Sequence, residues 1–337
     1  MKRDMMRLCR AAACLLCACL LLGACAAPAS PGGNGSAASP AGSDGIGADA
    51  SVSPAGSDGT GADASASASG SDGTGVEAAA TPVVTSPASI GTESTPAAMD
   101  RLIWSDEFDG ADGTGPDPEK WVRETGNNRG WGNRELQYYT DSKDNAFMRD
   151  GSLVIRAVRE EKEGFAYTSA RLKTQGRFDF LYGRVEMRAK LAQGKGLWPA
   201  FWMLGADIDT VPWPNCGEIY IMEHLGRTPG VIHGTLHGPE YYGGKGISNS
   251  LTTADDLYDT FHTYAVEWDE TGIRWFFDGE PYHKVVKAKL PTTYTWAFDK
   301  PEFLLVNLAV GGNWPQNPDE TTQFPQEYVI DYIRVYQ

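Results

Sequence analysis

The part of the chain after residue 99 contains short runs in which apolar and polar residues alternate. These runs are rich in β-branched and aromatic side chains and are separated by Gly, Asp, Asn and Pro. They are Ser152–Val158, Gly183–Ala189, Tyr264–Trp268, Ile273–Phe277 and Ile330–Tyr336. A period of two residues is typical of strands with one buried face. No long segment keeps the 3.6-residue period of an amphipathic helix, which argues against a (β/α)₈ barrel. We therefore predict an all-β, antiparallel two-sheet sandwich for residues 99–337.

The N-terminus has the pattern of an export signal. Four basic residues lie within the first ten positions, an apolar run covers Ala11–Leu22, and Gly23, Ala24 and Cys25 follow. The run is shorter than the roughly 20 apolar residues of a transmembrane helix. Its end resembles a bacterial lipobox, in which the cysteine becomes the lipidated first residue. We expect a lipoprotein signal peptide at 1–24 and a lipid anchor at Cys25, which attaches the chain to the extracellular face of the cell envelope. The alternative is an ordinary signal peptide with an incidental Cys25.

Residues 25–98 have the composition of a linker. They are rich in Ala, Ser, Gly, Pro and Thr, contain no aromatic residue, and repeat a 14-residue unit at Ser39–Val52 and Ser53–Ala66, with a degraded third copy. Repeats can indicate a solenoid, but these copies contain almost nothing to bury. Such a composition cannot offset its ordering entropy. We therefore predict a disordered linker ahead of the folded domain.

Charge and cysteine content narrow the classes of function. The formal net charge is −15, and residues 100–337 contain 25 basic and 36 acidic side chains. This balance lacks the basic footprint of a nucleic-acid-binding protein, so we expect no nucleic-acid partner. Cys216 is the one cysteine after residue 25. An internal disulfide and a cysteine-only zinc site in the folded part are therefore excluded, and Cys216 is either a small buried filler or a reactive thiol.

The candidate chemistry lies in the segment Trp213–His224. Ile219 and Ile221 alternate with Glu218 and Tyr220, which predicts a strand with its polar residues on one face. Strict alternation would place Glu223 on the opposite face, but a β-bulge near Ile221 and Met222 would return it to the same side. Two carboxylates on one face could cleave a glycosidic bond, one as nucleophile and one as proton donor. The alternative is a pair of solvated charges on an exposed sheet.

The same segment resembles a known family. Gly217–Glu223 is similar to the signature of glycoside hydrolase family 16, which is normally Glu-x-Asp-x-x-Glu. The resemblance covers nearly all of residues 101–337. Its other blocks are Trp104–Asp109, Asn133–Thr140, Ser169–Thr174, Gly196–Gly205, Gly234–His237, Leu308–Pro315 and Val329–Tyr336.

The resemblance implies a concanavalin A-like β-jelly-roll sandwich and retaining hydrolysis of internal β-glycosidic bonds in β-glucans. Glu218 matches the family nucleophile and Glu223 the acid/base. The Trp-rich blocks are most similar to bacterial endo-β-1,3-glucanases (laminarinases), although mixed-linkage glucan and galactan stay open as substrates. We expect a monomer that needs no cofactor for catalysis.

Tyr220 departs from the family pattern, because it stands where the family has Asp. An Asp would add a negative charge between the two glutamates and raise the pKa of the acid, whereas Tyr is neutral below about pH 10. We therefore count Tyr220 among the catalytic positions and expect weakened hydrolysis with an acid-shifted optimum. A second interpretation is a surface-anchored β-glycan-binding protein with little or no hydrolysis.

The resemblance also suggests residues for sugar and metal binding. The expected substrate-binding residues are Trp198, Trp202, Trp314, Arg171, His237 and Asn133. The three tryptophans could stack on sugar rings or belong to the core. Glu107, Gly151 and Asp331 match positions that hold a structural Ca²⁺ in relatives, and their oxygens suit that ion. The alternative for the two acids is plain solvation at strand ends.

Overall fold

A computed structural model describes residues 99–337, and the predicted signal peptide, the Cys25 anchor and the linker lie outside these residues. The strands are β1 Leu102–Asp106, β2 Val122–Glu124, β3 Gln137–Tyr139, β4 Ala146–Arg149, β5 Ser152–Ala157, β6 Tyr167–Ser169, β7 Arg171–Lys173, β8 Gly183–Lys190, β9 Leu197–Gly205, β10 Glu218–His224, β11 Val231–His237, β12 Ile247–Thr252, β13 His262–Asp269, β14 Gly272–Phe277, β15 Glu280–Val286, β16 Glu302–Val310 and β17 Gln326–Tyr336. Three single-turn 3₁₀ helices cover Asn128–Gly130, Gly243–Lys245 and Lys287–Lys289. Among the described residues, no helix has the length and apolarity needed to cross a bilayer.

Two large sheets carry nearly all the strands. One has seven strands in the order β12-β11-β10-β9-β16-β7-β2. The other has eight, in the order β15-β14-β13-β8-β17-β5-β4, with β1 paired to β17. Neighbouring strands in both sheets are antiparallel, and a small parallel pair, β3 and β6, lies apart. Both sheets also contain crossovers, such as β9 beside β16 and β8 beside β17, as expected for a jelly roll. The predicted antiparallel β-sandwich is confirmed.

The core lies between the inner faces of the two sheets. On β8 the residues alternate strictly, with Val185, Met187 and Ala189 buried and Arg184 and Glu186 turned outward. This alternation is the two-residue period from which the strand was predicted. Burial of one face of each sheet supplies the main driving force for the sandwich.

The central strands of the seven-stranded sheet are buried on both faces. All nine residues of β9 and all nine of β16 are buried. Phe201 and Met203 belong to the core, whereas Trp198 and Trp202 point to the outer face. The outer face forms the floor of a cleft. This second burial explains why both strands are mostly apolar, with Glu302 and Asn307 as the polar exceptions on β16.

Candidate active site

A β-bulge in β10 brings the two glutamates to the same face. Tyr220 is paired with Trp202 on β9, and Glu223 is paired with Ala200, so three steps along β10 match two steps along β9. The extra residue reverses the alternation, as a one-residue insertion must. Glu218, Tyr220 and Glu223 therefore all line the cleft. The predicted bulge is confirmed.

The two residues before the strand are held by packing. Gly217 has φ +76°, and a Cβ there would lie 3.1 Å from the carbonyl oxygen of Ala297, so the position favours glycine. Cys216 is free and buried, and burial raises the pKa of its thiol to about 11. A buried thiol that stays protonated is unreactive. Cys216 therefore fills space in the interior, and Gly217 connects it to Glu218.

Glu223 is set up to hold a proton. Its side chain is buried, and burial is the largest cause that raises its pKa to about 8, with a further rise from the negative charge of Glu218. The Thr235 hydroxyl donates to Glu223 Oε2 at 3.0 Å. The indole N–H of Trp198 faces the same carboxyl and lowers its pKa slightly, although Trp198 Nε1 lacks a partner in full hydrogen-bond geometry.

Glu218 is the member of the pair that lies near a cation. Burial raises its pKa to about 8, but the positive charge of Arg171 and the Tyr220 hydroxyl both act to lower it. The charge of Glu218 raises the pKa of Glu223, so loss of the first proton strengthens retention of the second. His237 Nε2 lies 3.7 Å from Glu218 Oε1, and burial lowers the pKa of that imidazole to about 4. His237 is therefore neutral near pH 7 and leaves Arg171 as the nearby cation.

Tyr220 covers one face of Trp202, one of the three tryptophans expected to stack on sugar rings. Its ring stacks on Trp202 with centroids 5.1 Å apart and an interplanar angle of 13°. On the side of Trp202 facing β7, Arg171 Cζ lies 4.7 Å from the indole centroid. Trp202 Nε1 also donates to Asn307 Oδ1 at 2.8 Å. Trp202 thus lines the cleft with both faces occupied, so it presents an edge to a ligand rather than a stacking surface.

Arg171 is fixed by rings and by an acid. Its guanidinium lies between Trp131, at 4.4 Å, and Trp202, and its Nε donates to Glu124 Oε2 at 2.5 Å. Burial and these partners leave little freedom to a side chain that carries permanent charge. Arg171 therefore supplies a fixed positive field near the carboxylates.

Trp198 and Trp314 form a second aromatic wall. Their rings meet edge to face, with centroids 5.6 Å apart and planes at 90°. The His233 ring packs on Trp314 at 4.9 Å, and Ser250 Oγ lies 2.7 Å from His233 Nδ1. This wall borders Glu223, on the side of the cleft opposite Trp213 and His237.

The cleft has a volume of about 810 Å³. All six predicted substrate-binding residues line it, namely Asn133, Arg171, Trp198, Trp202, His237 and Trp314. Lining residues that were not singled out from the sequence include five with large or polar side chains, namely Trp131, Glu135, Trp213, Thr235 and Asn307. Four of these lie inside or next to segments already quoted, so position within those segments is the signal that could have found them.

The residues expected to bind calcium lie on the other sheet. Glu107 follows β1, and both its oxygens accept from Arg334, at 3.0 and 2.7 Å. Asp331 on β17 pairs with Arg188 at 2.5 Å, and Gly151 lies in the turn between β4 and β5. Calcium takes six to eight oxygens. It would have to compete with two arginines for these carboxylates, so calcium binding stays a prediction.

A β-sandwich with two inequivalent buried carboxyls in one cleft has the components of a site that cleaves glycosidic bonds. The chain belongs to glycoside hydrolase family 16, because the family model described as "Glycosyl hydrolases family 16" matches residues 132–334. A β-glucanase of Rhodothermus marinus is 44% identical over 247 residues, which cover 70% of this chain and 85% of that protein.

Solved structures give the same result. The laminarinase catalytic domain of Thermotoga maritima is 49% identical, with a TM-score of 0.67, over 70% of this chain and 98% of that one. The endo-β-1,3-glucanase of Pyrococcus furiosus is also 49% identical, with a TM-score of 0.67, over 70% of this chain and 94% of that one. The similarity therefore extends over nearly the whole length of these catalytic domains.

Proposed function

We propose that the chain is a retaining endo-β-1,3-glucanase. The observation that carries this proposal is the bulge in β10, which places Glu218, near the charge of Arg171, and the proton-holding Glu223 on one face of the cleft. The names of its similar relatives, a β-glucanase, a laminarinase and an endo-β-1,3-glucanase, support β-1,3-glucan as the substrate.

The arrangement supports a two-step reaction. Glu218 attacks the anomeric carbon while Glu223 gives its proton to the leaving glycosidic oxygen. The glycosyl ester on Glu218 is then hydrolysed by a water molecule whose proton passes to Glu223. The fixed charge of Arg171 favours the ionised form of Glu218 before attack and after release.

The experiment is reducing-end release from laminarin, lichenan and agarose. We expect laminarin to be cleaved fastest and Glu218→Gln to abolish cleavage. Glu267→Gln is the matched control, because Glu267 is a paired carboxylate on β13 of the other sheet. Undiminished activity of Glu218→Gln would remove Glu218 from the mechanism. Faster cleavage of lichenan or agarose would reassign the linkage to mixed-linkage glucan or galactan.

A second candidate function is β-glycan binding with little hydrolysis. It is favoured by Tyr220, whose ring occupies the space over Trp202 and replaces the acid of the family signature. Calorimetric binding of laminari-oligosaccharides without turnover by the parent protein would support this candidate over the enzyme.

We further propose that the protein is a lipid-anchored monomer on the outer face of the cell envelope. The support is the lipobox-like sequence that ends at Cys25. Cys25→Ser should release the protein from the membrane fraction or block its maturation, and unchanged fractionation would refute the anchor. Sedimentation of the 99–337 fragment as a dimer would refute the monomer.

A further inference from the structure

A side chain of the opposite sheet reaches the bulge in β10. Trp275 lies on β14 and is fully buried in the core, and its Nε1 donates a hydrogen bond to the carbonyl oxygen of Tyr220 at 2.8 Å. Carbonyls of a regular strand point along the sheet towards neighbouring strands. A carbonyl that accepts from a core side chain must instead be turned towards the core. Tyr220 is the last residue in register before the bulge on both β9 and β11.

The neighbouring strand β11 has a glycine, Gly234, that leaves space for this tryptophan. On β11, Gly234 is the one residue between the partners of Tyr220 and Glu223, so it lies opposite the bulge. A Cβ on Gly234 would come within 2.5 Å of Trp275 Cδ1 and 2.7 Å of its Nε1. Gly234 is not among the residues with positive φ. The glycine is therefore required for space rather than for backbone conformation.

We propose that Trp275 is a positioning residue for catalysis, which holds the bulge of β10 through its N–H while Gly234 provides the room. Without the bulge, strict alternation would turn Glu223 towards the core and away from Glu218. The His283 ring stacks on Trp275, with ring centroids 4.5 Å apart, and limits movement of the indole. This inference rests on the proposed hydrolase function.

The test compares variants on laminarin. Trp275→Phe removes the N–H but keeps an aromatic core residue, and incorporation of β-(3-benzothienyl)alanine at 275 removes the N–H without changing the shape. Gly234→Ala displaces the indole instead. We expect kcat to fall about 10- to 100-fold in all three, since small displacements of a reacting group have effects of this size. KM should change little, as expected for an interaction that matters in the transition state. The basic limb of the pH profile should move to lower pH, because a Glu223 displaced away from Glu218 loses part of the charge repulsion that raises its pKa.

The matched control is Trp268→Phe. Trp268 lies on β13 of the same sheet, is fully buried, and its Nε1 donates to the carbonyl of Phe298 at 3.0 Å. This variant loses the same kind of bond away from the bulge of β10, so it should lose stability but keep its kcat and pH profile. Thermal denaturation separates folding from catalysis. A folded benzothienyl variant as active as the parent would overturn the inference alone, whereas a parent inactive on every β-glucan would overturn the proposed function as well.

Discussion

Glu218 and Glu223 have the same side chain, and their surroundings give them different roles. Burial raises the pKa of both, and the charge of Arg171 acts to lower the pKa of Glu218, whereas Thr235 donates to Glu223. Burial and the charge of Glu218 together raise the pKa of Glu223 to about 8 beside the neutral Tyr220. The acid-shifted optimum expected from Tyr220 stays a prediction, because an Asp at this position would add a further negative charge beside Glu223 and raise its pKa more.

Tyr220→Phe tests the hydroxyl. That hydroxyl stabilises the ionised form of Glu218, so its loss should raise the pKa of Glu218. The nucleophile must be ionised, so the acidic limb of kcat/KM should move to higher pH, by about one pH unit for a hydrogen bond to a charged group. Tyr242→Phe removes a hydroxyl from an exposed tyrosine packed on Trp213 and serves as the control. An acidic limb that stays in place would exclude this role.

Tyr220→Asp tests the effects of side-chain size and of negative charge at position 220 together. The shorter side chain uncovers one face of Trp202, and its carboxylate restores the family pattern beside the acid. We expect kcat on laminarin to rise about 10²-fold, within the range for a well-tuned acid. If the variant is no faster than the parent at any pH from 4 to 8, the account of Tyr220 is wrong.

At the level of the strand, β16 begins with a buried acid, and burial disfavours the charged form of a carboxyl group. Glu302 is fully buried on the core side, and neither carboxyl oxygen has a hydrogen-bond partner among residues 99–337. Burial raises the pKa of Glu302 well above its ordinary value, helped by the charges of Glu218 and Asp207 and opposed by Lys300. The folded protein therefore keeps a proton here that the unfolded chain releases.

This difference predicts how stability depends on pH. Above the unfolded pKa of about 4.3, the folded state binds more protons at Glu302, so the free energy of unfolding falls as pH rises, by up to about 1.4 kcal/mol per pH unit. Glu302→Gln cannot titrate and should flatten this fall between about pH 5 and 7 in urea denaturation. Glu240→Gln, at an exposed position, should leave it unchanged. An equally steep fall in Glu302→Gln would contradict the prediction.

At the scale of the whole molecule, calcium should affect stability and not catalysis. Its expected residues, Glu107, Gly151 and Asp331, belong to the eight-stranded side, whereas the cleft lies on the other sheet. An ion that binds only the folded state stabilises it by about 2.7 kcal/mol at 100 times its Kd. We expect calcium to raise the Tm of a chelated sample, with unchanged kcat, and Glu107→Gln to remove the rise. No thermal shift in the parent would refute the site.

Much of the fold and of the site could be predicted from local pattern. The two-residue period of β8 and β14 identified strands, because alternation records which face of a strand is buried. The spacing of Glu218 and Glu223 was enough to predict the bulge, because two carboxylates that act together must share a face. The substrate-binding residues around them were identified because they lie in or near sequence blocks that resemble those of glycoside hydrolase family 16.

What the sequence by itself determined is therefore the type and order of the strands, the family and the pair of glutamates. Only the tertiary structure decided that Tyr220 and Arg171 cover both faces of Trp202, that Glu302 is buried without a partner, and that Trp275 reaches the bulge. The physical reason is distance along the chain. Periodicity reports the environment of each strand separately, whereas stacking, burial of charge and bonds between sheets arise where segments far apart in sequence pack together.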